Sequence, residues 1–188
     1  MIKPIKSIFV APPSLSLEDF TPDEPFPQAE VAADAATTTD MIDGVSVTAL
    51  VSHSDSRGAL IELLTTRDGP IEPIVHVYHI TAEANSRRAW VYHRLQCDRL
   101  ACVNGRFRIV LYDIRLSSPT FSMLNVFILG QDQPGLLRIP PFVIHGVHNM
   151  GRDAATFINM PTKAWYSSTP DKCRLPEGDP RIPFSFDD

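Results

Sequence analysis

A chain of 188 residues is long enough for one core of ordinary size and short for two. With 44% hydrophobic and 21% charged residues it has a globular composition, and a formal net charge of -5 gives no overall attraction to nucleic acid or to an anionic membrane. An anionic ligand therefore has to be held by local arginines.

The chain opens on a short apolar stretch up to Pro12, which is neither a signal peptide nor a spanning helix. Within it, residues 5–10 are β-prone and suited to pair with a sheet edge of this or another subunit. Residues 11–40 are rich in Pro, Asp, Glu, Ala and Thr without sustained apolar periodicity. This predicts an N-terminal arm over residues 1–40 and one domain over residues 41–188. No apolar run approaches the roughly 20 residues of a membrane span. Three cysteines without paired spacing (Cys97, Cys102, Cys173) fit a reducing cytoplasm better than a disulfide framework.

From Asp43-Gly44 onward, short β-branched runs alternate with turn signals, the pattern of an all-β sandwich or barrel. The predicted strands cover residues 45–51, 59–64, 74–80, 88–93, 100–103, 106–112, 125–129, 135–139, 143–150 and 155–160. Asn104-Gly105 is the strongest hairpin signal. In the run after it, Phe107, Ile109 and Leu111 form an apolar face opposite a mixed one. Helical periodicity is absent apart from room for one short helix in the linker or tail.

Two spacings carry chemistry. Val91-Tyr92-His93, Asp98 and Gly105 keep the frame of a His-x-His, acid, Gly motif, with Val91 in place of the first histidine. His145 and Asn149, following Ile139-Pro140-Pro141, have the spacing of the partner motif. Together they predict a cupin double-stranded β-helix, a jelly-roll barrel. His93, Asp98 and His145 then read in three ways: hydrogen-bonded barrel residues, proton-transfer groups, or a two-histidine, one-carboxylate set for iron or another divalent ion. The loss at Val91 weighs against the metal.

Asp55-Ser56-Arg57-Gly58-Ala59-Leu60-Ile61-Glu62, Arg88-Ala89-Trp90, the run from Leu111 through Asp113-Ile114-Arg115-Leu116-Ser117-Ser118-Pro119-Thr120-Phe121, Ile139-Pro140-Pro141 and His145-Gly146 resemble the dTDP-4-dehydrorhamnose 3,5-epimerase family. The likeness runs in order from about residue 42 to residue 184. It implies a cupin barrel, a homodimer and an isomerase acting on a nucleotide-diphospho-4-keto sugar, with no cofactor expected and a divalent metal as the alternative. It implies no nucleic-acid or membrane partner.

The family's chemistry uses a histidine base held by an aspartate, an opposing tyrosine acid and a lysine near the keto oxygen. By resemblance the base position falls on Val91, with His93 two residues on and on the same strand face. The lysine position falls on Asp98, the tyrosine position near Asn159, and the Ser-x-Lys-Asp segment that supplies the aspartate finds no counterpart. His93 and His145 are therefore the candidate catalytic residues. The resemblance further implies substrate contacts from Arg57, Glu62, His76, Tyr78, Arg88, Asp98 and Asn159, with Arg88 on diphosphate.

Structural roles are open for several of these. Arg57 also reads as a turn residue paired with Asp55, Glu62 as a satisfied strand carboxylate, and Arg88 as a rim salt-bridge residue with Arg87 solvated beside it. Trp90 reads as packing and Cys102 as a buried small hydrophobe. Tyr166 stands in for the lost acid if its loop folds over the pocket. A metal-dependent cupin and a non-catalytic sugar-nucleotide binder are the alternative functions.

Overall fold

The computed structural model describes residues 41–67, 69–166 and 168–187. The expectations for the arm, including the β-prone segment at residues 5–10, lie outside them.

Twelve strands form among the described residues, and no helix does. They are β1 (Ser46–Ala49), β2 (Ser52–Asp55), β3 (Gly58–Ile61), β4 (Tyr78–Ala82), β5 (Arg87–His93), β6 (Asp98–Cys102), β7 (Arg106–Asp113), β8 (Leu124–Gly130), β9 (Gly135–Ile139), β10 (Val143–Asn149), β11 (Ala155–Asn159) and β12 (Lys172–Arg174). Sheet one has the order β1-β9-β6-β11-β4, sheet two the order β12-β5-β10-β7-β8, and β2–β3 is a separate hairpin. All recorded pairings are antiparallel. This is the all-β jelly-roll barrel that the two motif spacings predict.

One core is shared by both sheets: Leu100, Cys102 and Leu137 of sheet one meet Phe107, Ile109, Leu111 and Val143 of sheet two. Each large apolar side chain buried there contributes about 1.5–3 kcal/mol. A second cluster lies on the outer face of sheet two, where Val110, Ile144 and Trp90 are covered by Ile182 and Phe186 of the tail. Both faces of β7 are thus buried near its middle. Arg87 fastens the tail through Glu177 (2.8 Å) and Asp187 (2.6 Å).

The predicted 113–121 stretch is a knot around one carboxylate. Fully buried Asp113 accepts hydrogen bonds from Arg115, Ser118 and Thr120. Burial pushes this carboxyl up, but those donors outweigh it and hold the group well below the usual carboxylate range.

His145-Gly146 also has a packing reason. Across from it, β5 bulges: Val91 pairs with His145 and Arg88 with Val147, so two residues of β5 face Gly146. A Cβ on Gly146 would lie 2.8 Å from Ala89 Cβ, 2.9 Å from Trp90 Cζ3 and 3.0 Å from Phe186 Cζ. Gly146→Ala is expected to lower unfolding free energy by about 1–3 kcal/mol through overpacking. Urea titration against the unsubstituted chain checks this, and an unchanged midpoint would contradict the tight approach.

Beyond shifts of up to three residues at strand ends, three differences from prediction stand out: β2 (Ser52–Asp55) pairs with β3 where no strand is predicted, β4 starts late, and β12 is missed. The run 74–80 becomes a strand only from Tyr78, because Ile74, Val75 and Val77 find no partner strand among the described residues and stand 49%, 49% and 53% exposed. The edge strand β12 escapes prediction because Lys172-Cys173-Arg174 is short and polar.

Candidate active site

The inward face follows from the register. On β10, Val143, His145 and Val147 point into the barrel. Val91 and Arg88 oppose His145 and Val147, so they share that face with His93 by period two. On β12, Lys172 pairs with His93 and Arg174 with Val91, which adds two cations to the same wall. Sheet one supplies the opposite wall: Asn159 pairs with Leu100 on β6 and with Tyr78 on β4.

Between the walls is a cavity of about 340 Å³ lined by His76, Tyr78, His93, Gln96, Trp165, Lys172 and Arg174, with Pro161 and Pro170 at its edge. A larger hollow of about 500 Å³ is lined only by tail residues 177–187 and contains none of the predicted site residues. The chemistry therefore belongs to the smaller one.

At the base of the cavity Asp98 is 3% exposed, with His93 Nε2 and His145 Nε2 each 3.4 Å from its Oδ2. Its Oδ1 accepts hydrogen bonds from Gln96 (2.6 Å) and Asn159 (3.0 Å). On the other side of the His93 ring, Nδ1 lies 3.4 Å from Asp171 Oδ2. Neither nitrogen of His93 is committed to a hydrogen bond of ordinary length, about 2.7–3.2 Å. Asp171 is itself fixed by the backbone N–H groups of Arg94, Leu95 and Gln96, which donate to it at 3.0, 2.9 and 3.2 Å.

The electrostatics favour neutral imidazoles. Burial lowers the pKa of His93, and Lys172 adds to that, while Asp98 and Asp171 act in the opposite direction. Burial likewise brings His145 to about 4 against the pull of Asp98. The Lys172 ammonium is also lowered, first by burial and then by Arg174. A neutral histidine beside a lysine and two carboxylates can accept a proton near neutral pH and be stabilised once charged. His145 does not line the cavity; its Nδ1 lies 3.3 Å from the Val143 carbonyl oxygen.

The predicted residues divide accordingly. His93, His76 and Tyr78 line the cavity, and Asp98, His145 and Asn159 form its floor. Arg57 and Glu62 are not brought to it. They sit on the exposed β2–β3 side, where Arg57 pairs with Asp55 and Glu62 with Arg67. Of the two neighbouring arginines, Arg87 is the ion-paired one, correcting its reading as solvated, whereas inward-facing Arg88 makes a hydrogen bond to the Thr81 carbonyl at 3.0 Å. Trp90 packs as expected, 1% exposed and stacked on Phe186. Cys102 is fully buried, its thiol pushed up to about 12 by desolvation. Tyr166 is 64% exposed and lies outside the lining, where Trp165 takes its place.

Sequence reasoning missed the charged residues Asp171, Lys172 and Arg174 at the cavity and its rim, and also Gln96, Trp165 and the two prolines of the lining. An aspartate does stand beside the histidine, and a lysine does enter the pocket. The available signal is the adjacent pair Asp171-Lys172, which carries both charges of the Ser-x-Lys-Asp motif in reversed order.

Known proteins resemble this chain in sequence and in architecture. The chain is 34% identical over 146 residues to the spore coat polysaccharide biosynthesis protein SpsL of Bacillus subtilis (strain 168), covering 78% of this chain and 97% of that protein. It is 33% identical over 138 residues to a probable low-salt glycan biosynthesis epimerase of Haloferax volcanii, covering 72% and 88%. A crystal structure of a dTDP sugar isomerase from Desulfovibrio desulfuricans G20 superposes with a TM-score of 0.72 at 28% identity, over 77% of this chain and 91% of that one. A 3'-monoepimerase from Streptomyces bikiniensis, crystallised with dTDP-quinovose, has the same fold at a TM-score of 0.67 and 20% identity, over 76% and 75%. A family profile described as dTDP-4-dehydrorhamnose 3,5-epimerase matches residues 39–186, nearly the whole barrel and its tail. With that span, and with the identity to the Bacillus protein over most of both chains, the chain belongs to the dTDP-4-dehydrorhamnose 3,5-epimerase family.

Proposed function

We propose that this protein is a nucleotide-sugar epimerase that removes and returns a proton on a carbon next to the 4-keto group, with His93 as the base. The observation that carries this is His93 itself, at the cavity wall with Asp171 and Asp98 each 3.4 Å from one ring nitrogen and Lys172 paired beside it on β12. Asp171 orients the ring, and Asp98 stabilises the imidazolium that forms. A proton next to a ketone is weakly acidic, so its removal also needs a positive group at the enolate oxygen. Lys172 supplies that charge, in place of the lysine lost at Asp98. His145 acts as a positioning residue beneath Asp98.

Arg88 and Arg174 share the inward face of sheet two and suit a diphosphate, to which guanidinium forks bind by paired hydrogen bonds. The dTDP-quinovose complex of the Streptomyces relative supports a nucleotide sugar as the ligand, and the Bacillus relative supports a place in polysaccharide synthesis. The test is incubation with dTDP-4-keto-L-rhamnose and chromatographic separation of the products. An epimer is expected; binding without any product would leave a sugar-nucleotide binder.

The reading includes a homodimer, supported by the exposed apolar side chains of Leu60 and of the segment Ile74, Val75 and Val77. Sedimentation as a monomer at working concentrations would remove this part. It also places the protein in the cytoplasm, in keeping with three free cysteines; disulfide-linked protein recovered from its native compartment would contradict that. Among the described residues no helix is long and apolar enough to cross a membrane.

A second reading rests on the donor set of His93, Asp98 and His145, whose ligand atoms lie within 4.8 Å of one another. Two imidazoles and a carboxylate fit a divalent transition metal, which supplies Lewis-acid chemistry when bound. Elemental analysis of untagged protein decides between the readings. The epimerase reading expects a metal content far below one equivalent, none regained on reconstitution, and activity insensitive to chelators. Stoichiometric metal lost in parallel with activity would favour the metal enzyme.

A further inference from the structure

Inversion at carbon needs two groups. A base takes the proton from one face of the sugar, and an acid must return one to the other. His93 provides the first from sheet two. By resemblance the family tyrosine position falls near Asn159, on the opposite sheet, and an asparagine has no acidic proton to give.

Asn159 nevertheless points to a hydroxyl. Its Nδ2 donates a hydrogen bond to Tyr78 Oη at 2.9 Å, and the two residues are direct partners across the β11–β4 ladder. Because the phenol oxygen accepts there, its own proton is free for another partner. No side chain among the described residues accepts it. Tyr78 lines the cavity from sheet one, whereas His93 lines it from sheet two. His76 packs against the Tyr78 ring with centroids 5.1 Å apart, while Asn159 bridges the hydroxyl to Asp98, which it reaches at 3.0 Å. The ring is therefore held in place while its proton faces the cavity.

Resting on the epimerase reading, we propose that Tyr78 is the catalytic acid on the face opposite His93, a hydroxyl supplied from β4 in place of the one absent from β11. The protons balance. His93 takes the proton from carbon, and the C–H electron pair moves into the enolate. As the enolate collapses back to the ketone, the Tyr78 O–H bond breaks and its proton goes to the opposite face of the same carbon. The phenolate then regains a proton from water at the cavity mouth, and the imidazolium releases one there. No oxidant, reductant or further reactant is required.

The role separates two observables that a purely structural residue would change together. With dTDP-4-keto-L-rhamnose in deuterium oxide, Tyr78→Phe is expected to retain exchange of the carbon-bound proton, because the base can remove and return it on its own face. Formation of the inverted sugar should fall by about 10²–10⁴-fold. Inversion at the unsubstituted rate would overturn the role of Tyr78, and so would equal loss of inversion and exchange in a folded variant that still binds dTDP. Absence of exchange in the unsubstituted chain would instead overturn the epimerase reading on which the role rests. Should Tyr78→Phe fail to fold, 3-fluorotyrosine at position 78 keeps the shape and makes the phenol more acidic. The alkaline limb of the inversion rate is then expected to move to lower pH, and an unmoved limb would overturn the proposal.

Discussion

His93→Asn is expected to lower proton exchange on a 4-keto sugar nucleotide by about 10²–10⁴-fold while leaving dTDP binding nearly unchanged. Asparagine keeps a polar side chain between Asp98 and Asp171 and has no nitrogen that accepts a proton near neutral pH. The comparison with His145→Asn is informative because both histidines face the same Asp98 oxygen at 3.4 Å. His145 lies beneath the cavity, so its removal should be felt through the orientation of Asp98, with exchange slowed and still measurable. Exchange is measured by proton NMR in deuterium oxide. Loss with His145→Asn and retention with His93→Asn would reverse the assignment.

The pH profile provides an internal check. A base works when unprotonated, and burial together with Lys172 holds His93 below the ordinary histidine value of 6.5. The acidic limb of the exchange rate should therefore lie below that pH.

Lys172→Met is expected to reduce turnover by about 10²–10³-fold, the usual effect of removing one donor to a developing oxyanion. Methionine preserves much of the apolar stem, so the loss reports on the charge. The sign of a second effect follows from the same contact. The ammonium disfavours imidazolium at His93, so removing it raises the histidine pKa and moves the acidic limb of the rate to higher pH. A general loss of folding would not produce that shift. A fall in turnover with an unmoved limb would place Lys172 on the diphosphate, together with Arg88 and Arg174.

The barrel was legible because its signals are local. Asn104-Gly105 does mark a tight turn, but β6 and β7 on either side of it belong to different sheets, so it is a sheet-to-sheet connection and not the hairpin its sequence predicts. Alternation in 106–112 separates two faces, and the two motif spacings place His93, Asp98 and His145 on inward positions. Alternation alone could not decide where β4 begins, since residues 74–77 look like strand and have no partner among the described residues. The site was half legible. His93 and Tyr78 follow from motif and period, but Lys172 reaches the cavity on a polar strand of three residues at the edge of sheet two, with Asp171 just before it against His93, and that strand has no periodicity to announce it. Arg57 and Glu62 fit a sequence pattern, yet the β2–β3 hairpin pairs with neither large sheet, and their charges are taken up by Asp55 and Arg67. The substitution of Val91 for a histidine suggested a loss of chemistry. The two-residue period of β5 keeps Val91 inward beside His93, where it is 9% exposed and belongs to the wall.

The central claim is that the cavity moves a proton on a carbon beside a ketone, and hydrogen exchange tests it most directly. The unsubstituted protein is mixed with dTDP-4-keto-L-rhamnose in deuterium oxide and the C3 and C5 proton signals are followed against a protein-free control. Loss of at least one of the two signals, abolished by His93→Asn, is the predicted result. Retention of both signals while the nucleotide sugar is measurably bound would contradict it.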